Sequence, residues 1–83
     1  MLEFKYDTQL LMEHSTLDEE TLAALILREV PGDSLLAVGD AELMKVHFHT
    51  NVPWKLLELC AGVGEMYDII VEDMDRQSRG LQG

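Results

Sequence analysis

The alternation of apolar and polar residues near the start of the chain predicts a first strand between Glu3 and Glu13. Its more apolar phase consists of the even-numbered residues Phe4, Tyr6, Thr8, Leu10 and Met12. Successive side chains of a strand point to opposite faces of a sheet, so a period of two indicates one covered face. We therefore expect the even-numbered residues of this strand to face a hydrophobic core.

Apolar residues at helical spacing come next and predict a first helix that ends before Pro31-Gly32. Its inward residues are Leu22, Leu25, Ile26 and Val30. Thr16 followed by Glu19 fits a capping box, in which both side chains bond to free backbone N–H groups at the helix start. The acidic segment Asp18–Glu20 also suits the positive end of the helix dipole.

A short apolar run and a second alternating segment predict a β-hairpin in the middle of the chain. The apolar run is Leu35–Val38, the alternating segment is Glu42–His49, and Gly39-Asp40-Ala41 forms the loop between them. Because all four residues of the first run are apolar, either its odd-numbered or its even-numbered residues could face the core.

The second helix is expected to begin after Asn51, which can cap it, with Pro53 in its first turn. Its inward stripe consists of Leu56, Leu57, Cys60 and Ala61, and Gly62 and Gly64 end the helix. A lone cysteine on an inward stripe usually behaves as a small hydrophobic residue, so Cys60 is interpreted as part of the core.

A final alternating segment, Tyr67–Asp73, predicts the last strand. Its inward residues would be Ile69 and Val71, and its outward residues Asp68 and Glu72. The sequence contains no internal repeat or linker that would mark a second domain. We expect residues 1–83 to form one domain, with residues 1–2 and 75–83 frayed.

This order of elements predicts an α+β fold, a ferredoxin-like two-layer sandwich (βαββαβ) with a four-stranded antiparallel sheet and two helices on one face. The uncovered face would carry Leu11, Leu43 and Ile70 in addition to apolar residues of the hairpin. Apolar surface of this kind predicts a covering partner, and a second copy of the chain is the simplest one. We therefore expect a homodimer.

The charge of the chain changes the list of expected partners. Its 16 acidic and 6 basic residues give a net charge of -10, which repels phosphate backbones and anionic membrane surfaces. No apolar run reaches the ~18 residues that span a bilayer, and the N-terminus lacks the pattern of a secretory signal. With a single cysteine, the chain can form no internal disulfide. These features predict a cytoplasmic protein that binds no nucleic acid and does not insert into membranes.

His47 and His49 are candidate metal ligands, because residues two apart on a strand point to the same face. Zinc requires three or four ligands, so the pair alone is a weak signal, and on spacing alone two solvated histidines are the better interpretation. In the predicted topology the first and third strands are antiparallel neighbours, and Asp7 could lie across from the pair as a third ligand. His14 is interpreted as a loop residue, because nothing places it beside the other two.

Several segments of the chain resemble one known family. They are Gly32–Asp40, Lys45–Asn51 with Pro53, Gly64-Glu65 and Ile69–Met74. Together they look like the middle domain of the dihydroxyacetone-kinase-like proteins that include the fatty acid kinase A protein. The most specific part is the His-x-His-Thr-Asn segment followed two residues later by proline. The resemblance extends over nearly the whole chain.

The resemblance implies a dimerisation domain with a zinc site in which His47 and His49 correspond to the two histidine ligands. The third ligand of the family is a cysteine, and Asp7 stands at that position here. A carboxylate in place of a thiolate reduces selectivity for a soft ion and admits harder ones. The implied cofactor is therefore zinc or another divalent transition metal. The kinase domain of the family is absent from these residues, so no ATP site is implied, although a kinase-related protein could be a partner.

Three hypotheses about function follow from these patterns. The leading one is a stand-alone, non-catalytic homodimeric module that binds a divalent metal through His47, His49 and Asp7. The first alternative is a small dimeric enzyme in which one histidine and Asp7 carry out acid–base chemistry. The second is a metal or small-molecule sensor domain whose output partner is a separate chain.

Overall fold

A computed structural model describes residues 2–83, so the fraying predicted for Met1 lies outside the described residues. The elements are β1 (Tyr6–Glu13), α1 (Glu19–Glu29), β2 (Gly32–Gly39), β3 (Met44–Thr50), α2 (Pro53–Ala61), β4 (Glu65–Asp73) and α3 (Met74–Ser78). The strands form one antiparallel sheet in the order β2-β3-β1-β4. The predicted α+β two-layer sandwich is confirmed. Within residues 2–83, no helix is long and apolar enough to cross a bilayer.

The hydrophobic core lies between the sheet and helices α1 and α2. The even-numbered residues from Thr8 to Met12 of β1 and all even-numbered residues of β3 are buried, as the alternation of β1 predicts. The apolar core residues are Leu10, Met12, Leu22, Ile26, Val30, Met44, Val46, Phe48, Leu56, Cys60 and Val63. Cys60 is a core residue as expected, and its burial raises the pKa of the thiol to about 12, because the thiolate is poorly solvated there.

The predicted capping box at the start of α1 is wrong. The N-cap is Asp18, whose carboxylate accepts a hydrogen bond from the backbone N–H of Thr21 at 2.8 Å. This bond favours the charged carboxylate and lowers the pKa of Asp18. The Thr16 hydroxyl instead donates to the carbonyl of Val63 at 3.0 Å. Because the Thr16 hydroxyl bonds to the distant Val63 carbonyl, Asp18 and not Thr16 caps the helix.

The predicted cap of α2 is also wrong. Asn51 lies one residue too early, and its amide group accepts a hydrogen bond from the Lys5 N–H and donates one to the Glu3 carbonyl. The N-cap is Val52, which among residues 2–83 has no side-chain capping bond. Asn51 thus ties the segment before β1 to the end of β3. Pro53 stands in the first turn of α2, as predicted.

Three residues predicted to face the core are exposed instead: Ala61, Ile69 and Val71. β4 is an edge strand, and the exposure of its residues shows that the helix layer does not extend over this part of the sheet. A register shift against β1 coincides with a positive φ of 49° at Asp68, which is typical of a β-bulge. Val71 nevertheless pairs with the buried Thr8, so it lies on the predicted side of the sheet, and it is exposed because no helix covers it there.

The structure resolves the ambiguity in the second strand. Leu36 and Val38 pair with His47 and Lys45 on the uncovered face of the sheet, which we call the open face. The odd-numbered residues Leu35 and Ala37 pack against the core. The predicted open-face residues Leu11 and Ile70 belong to β1 and β4, whereas Leu43 is exposed in the loop before β3.

Helix α3 is not among the elements that the sequence predicts. Asp73 caps it by accepting a hydrogen bond from the Arg76 N–H, and that bond together with the nearby charge of Lys5 lowers the pKa of Asp73. The Met74 N–H donates to the Lys5 carbonyl at 2.8 Å and joins the helix to the segment before β1. Fraying of Leu2 and of residues 75–83 stays a prediction.

Candidate metal centre

The register between the two central strands brings the three predicted ligands together. Asp7 of β1 lies directly opposite His49 of β3, and Gln9 lies opposite His47. All four are odd-numbered residues of strands whose even-numbered residues fill the core, so their side chains share the open face. The arrangement follows from the alternation in β1 and β3 and from their antiparallel pairing.

The three side chains converge on a small volume. The Asp7 Oδ1 atom lies 2.7 Å from the His47 Nε2 atom and 3.9 Å from the His49 Nε2 atom. One ligand atom from each residue lies within 4.8 Å of the other two. The imidazole rings meet edge to face, with centroids 5.2 Å apart. Each of the three residues is half-buried.

Two atoms at the centre of this cluster lack hydrogen bonds. Within the part of the chain that the structure describes, Asp7 Oδ1 and His47 Nε2 are both buried without a hydrogen-bond partner. Their separation of 2.7 Å is short enough for a bond, but the contact lacks the angular geometry of one. The other carboxylate oxygen, Asp7 Oδ2, accepts a hydrogen bond from the Gln9 amide at 3.3 Å. Buried polar atoms without partners are costly, and an ion between them would remove the cost.

The spacing and chemistry of the cluster fit one transition-metal ion. With metal–ligand bonds of about 2.0–2.1 Å, tetrahedral ligand atoms lie about 3.4 Å apart. The distances of 2.7 and 3.9 Å from Asp7 Oδ1 fall on either side of that value, so small side-chain rotations would equalise them. Two imidazoles and a carboxylate suit zinc and its neighbours in the first transition row. The one thiol, Cys60, is buried in the core beneath the opposite face and is not available as a ligand.

A fourth residue near the cluster, Asp33, is not among the candidate ligands that the sequence predicts. Its Oδ1 atom lies 3.7 Å from the Nδ1 atom of His49, and the register places the two residues directly opposite each other. The apolar run predicts a second strand that begins at Leu35, whereas β2 begins at Gly32 and includes Asp33. The signal in the sequence that includes Asp33 is the family resemblance of Gly32–Asp40.

The third histidine lies elsewhere, in the segment between β1 and α1, as its interpretation as a loop residue implies. His14 has a positive φ of 57°, and its Nδ1 atom is 3.9 Å from Glu65 Oε2. With Glu13 these residues form a second group of side chains that could hold an ion. All three are exposed, and exposed acidic groups of this kind are common without an ion, so His14 is suited to be a control residue.

Comparison with known proteins supports one family assignment. The family described as the middle domain of fatty acid kinase A-like proteins matches residues 3–81. Uncharacterised proteins of Staphylococcus aureus strains USA300, NCTC 8325 and N315 are each 44% identical to this chain over 48 residues. The match covers 58% of this chain but only 9% of the length of each relative. Because the family match extends over nearly the whole chain, this protein belongs to the family of fatty acid kinase A-like middle domains.

Proposed function

We propose that this chain is a non-catalytic interaction module that binds a divalent transition-metal ion through Asp7, His47 and His49 and forms a homodimer through the open face of its sheet. The observation that carries the metal proposal is the pair of buried atoms, Asp7 Oδ1 and His47 Nε2, that face each other at 2.7 Å without hydrogen-bond geometry. A bound ion would accept electron pairs from both and neutralise the carboxylate. The hydrophobic core lies on the other face of the sheet, so a bound ion would contact side chains of the open face and not of the core.

The size of the neighbouring groove favours a binding module over an enzyme. This groove on the open face is lined in part by Gln9, Leu11, Lys45 and Ile70 and has a volume of about 200 Å³. Small-molecule sites usually enclose about 300–1,000 Å³. Acid–base catalysis by Asp7 and a histidine would need room for a substrate beside them, and the groove offers little.

The dimer proposal is supported by apolar side chains on the open face. The exposed apolar residues there are Leu36, Val38, Tyr67 and Ile70. They flank a central strip formed by His47, Lys45, Gln9 and Leu11, according to the register of the four strands. Apolar surface on both sides of a mixed polar and apolar strip is typical of a face that another surface covers.

Metal binding is tested by calorimetric titration of zinc into protein purified without an affinity tag. We expect wild type to bind one zinc ion per chain, and His47→Ala or His49→Ala to abolish binding. Asp7→Cys should bind zinc more tightly, because a thiolate is a better ligand for this ion than a carboxylate.

The matched control is His14→Ala, which removes a histidine outside the cluster and should bind zinc like wild type. Equal loss of binding in His14→Ala and His47→Ala would contradict the assignment. If Asp7→Cys bound zinc no better than wild type, the three side chains would not act together as ligands.

The dimer is tested by sedimentation velocity at ~100 μM protein, far above the Kd of a typical stable interface. Ile70→Glu should produce monomers, because it would bury an unpaired carboxylate in the interface. Ile69 is the control: it is exposed to the same extent as Ile70, 46%, but it is the adjacent residue of the strand and points to the opposite face. Ile69→Glu should therefore remain dimeric.

Salt provides a second test of the dimer. Each chain carries a net charge of -10, and the repulsion between two copies is screened as the ionic strength rises. We expect the dimer to become tighter between low and moderate salt. A monomer at every salt concentration would rule out the proposed interface.

A further inference from the structure

We infer that Asp33 is a positioning residue for His49: its carboxylate accepts a hydrogen bond from the Nδ1–H of the imidazole, and Nε2, on the side of Asp7, is left without a proton and free to bind the ion. This inference rests on the proposed metal-binding function. The two nitrogens of His49 face different carboxylates, with Nδ1 3.7 Å from Asp33 Oδ1 and Nε2 3.9 Å from Asp7 Oδ1. The ring therefore lies between one carboxylate inside the cluster and one outside it.

A β-bulge in β2 places Asp33 on the open face. Asp33 pairs with His49 and Leu36 pairs with His47, so two residues of β2 occupy the space opposite the single residue Phe48. The extra residue is accommodated by Ser34, whose φ of 56° is uncommon for a residue with a side chain. With a regular register from Leu36 onwards, Asp33 would lie one position further along β3 and point toward the helices.

The direction of the contact separates this role from that of a direct ligand. Asp33 lies on the Nδ1 side of His49, whereas Asp7 lies on the Nε2 side of the same ring. Histidines that bind metals through one nitrogen commonly donate the other N–H to a carboxylate, which fixes the tautomer and the ring orientation.

The distance between Asp33 Oδ1 and His49 Nδ1 is slightly longer than that of a hydrogen bond. Shortening it from 3.7 Å to the roughly 2.9 Å of an N–H···O bond requires a movement of about 0.8 Å. The Asp33 side chain is more than half exposed, so rotation of the carboxylate meets little resistance. Glu72 lies in the same cross-strand row on the other side of Asp7, and its Oε2 atom accepts a hydrogen bond from the Gln77 amide at 2.9 Å.

The first measurement uses metal-free protein and does not depend on ion binding. Two-bond ¹H–¹⁵N correlation spectra of the histidine rings, recorded at alkaline pH, identify the tautomer of each neutral imidazole. We expect His49 to be the Nδ1–H tautomer in wild type and in Asp33→Asn, whose side-chain oxygen can still accept the bond. Asp33→Ala should lose this preference, and the charge control Glu72→Gln should keep it. An Nε2–H tautomer in wild type, or an unchanged tautomer in Asp33→Ala, would overturn the inference.

The second measurement is zinc affinity by calorimetry with the same four proteins. Asp33→Ala should bind zinc about 10–100-fold more weakly, the range for loss of a carboxylate that orients a metal-binding histidine. Asp33→Asn should lose less, and Glu72→Gln should change the affinity by less than Asp33→Ala. Equal losses in Glu72→Gln and Asp33→Ala would mean that only the overall negative charge matters, and the inference would be wrong.

The two measurements also distinguish the two proposals. If wild type bound no zinc while its His49 tautomer depended on Asp33 as expected, the proposed function would fail and the positioning contact would stand. If zinc bound as expected but the tautomer did not depend on Asp33, the positioning role alone would fail.

Discussion

Thr8 and Thr50 are both fully buried on the helix-facing side of the central strands, but only Thr50 uses its hydroxyl. The Thr50 hydroxyl donates to the Pro31 carbonyl at 2.7 Å and accepts from the Val52 N–H at 3.1 Å. The Thr8 hydroxyl has no partner anywhere in residues 2–83. We therefore expect Thr8→Val to stabilise the protein and Thr50→Val to destabilise it.

The magnitudes follow from the two environments. A buried polar group without a partner costs about 1–3 kcal/mol, so its replacement by a methyl group of similar shape at Thr8 should raise the free energy of unfolding by about 1–2 kcal/mol. At Thr50 the same change removes two hydrogen bonds, each worth about 0.5–1.5 kcal/mol net, and should lower the free energy of unfolding by about 2 kcal/mol. Valine and threonine both favour strands, so backbone propensity contributes little to either change.

The assay is thermal and urea unfolding followed by circular dichroism, at several protein concentrations because dimerisation itself raises the apparent stability. For a domain of this size, 1 kcal/mol corresponds to a change in Tm of roughly 4–8 °C. Thr8→Val should therefore melt above wild type and Thr50→Val below it. If both variants were destabilised to a similar extent, the Thr8 hydroxyl would have a partner and the reasoning would be refuted.

Three further predictions concern packing and ionisation. Gly32→Ala should lower the free energy of unfolding by about 1–3 kcal/mol, because the new Cβ atom would overlap the Phe48 ring and the His49 carbonyl. The control is Gly62→Ala, whose Cβ atom would lie 3.5 Å from the Leu59 carbonyl oxygen, so this variant should stay close to wild type in urea unfolding. Cys60 should react slowly with a thiol reagent at mildly alkaline pH in the folded protein and rapidly in denaturant. Because folding raises the pKa of this thiol from 9.0 to about 12, its contribution to stability is complete below pH 9 and is lost as the pH rises toward 12; a stability that rises over this range would contradict the assignment. Asp18→Ala should destabilise the protein at neutral pH, and because folding lowers the pKa of this carboxyl, the difference from wild type in urea unfolding should vanish as the pH falls below 3.8; a constant difference would exclude the charged cap.

The fold was largely predictable because β1 and β3 carry regular alternation along the stretch that faces the core. Prediction failed where tertiary contacts decide between local alternatives. Thr16 and Asn51 are both good capping residues by type, but each bonds to a distant segment. Asp18 caps α1 instead, and the Val52 side chain makes no capping bond at the start of α2. In β4 the predicted phase puts Val71 on the helix side of the sheet, opposite Thr8, but Val71 stays exposed because the helices do not cover this edge strand.

The three candidate ligands could be placed from the sequence, because a strand's period and the pairing of neighbouring strands determine which side chains share a face. Asp7, His47 and His49 lie where that reasoning puts them, and their binding of an ion stays a prediction. Asp33 could not be found in this way, because its position depends on one extra residue in β2. The bulge depends on the left-handed conformation of Ser34, and serine, unlike glycine, does not indicate this conformation in a sequence.

The alternation along β1 and β3 also has a consequence for how this domain can diverge. The even-numbered positions determine the volume of the core, whereas Asp7, His47 and His49 lie on the open face and are not part of the core cluster. A substitution at position 7 can therefore change the ligand chemistry without creating a cavity or a clash beneath the helices. On the proposal that these three residues bind an ion, ion preference and foldability would be separate traits under mutation, and a library randomised at positions 7, 47 and 49 would sample different ion preferences among proteins that share one fold.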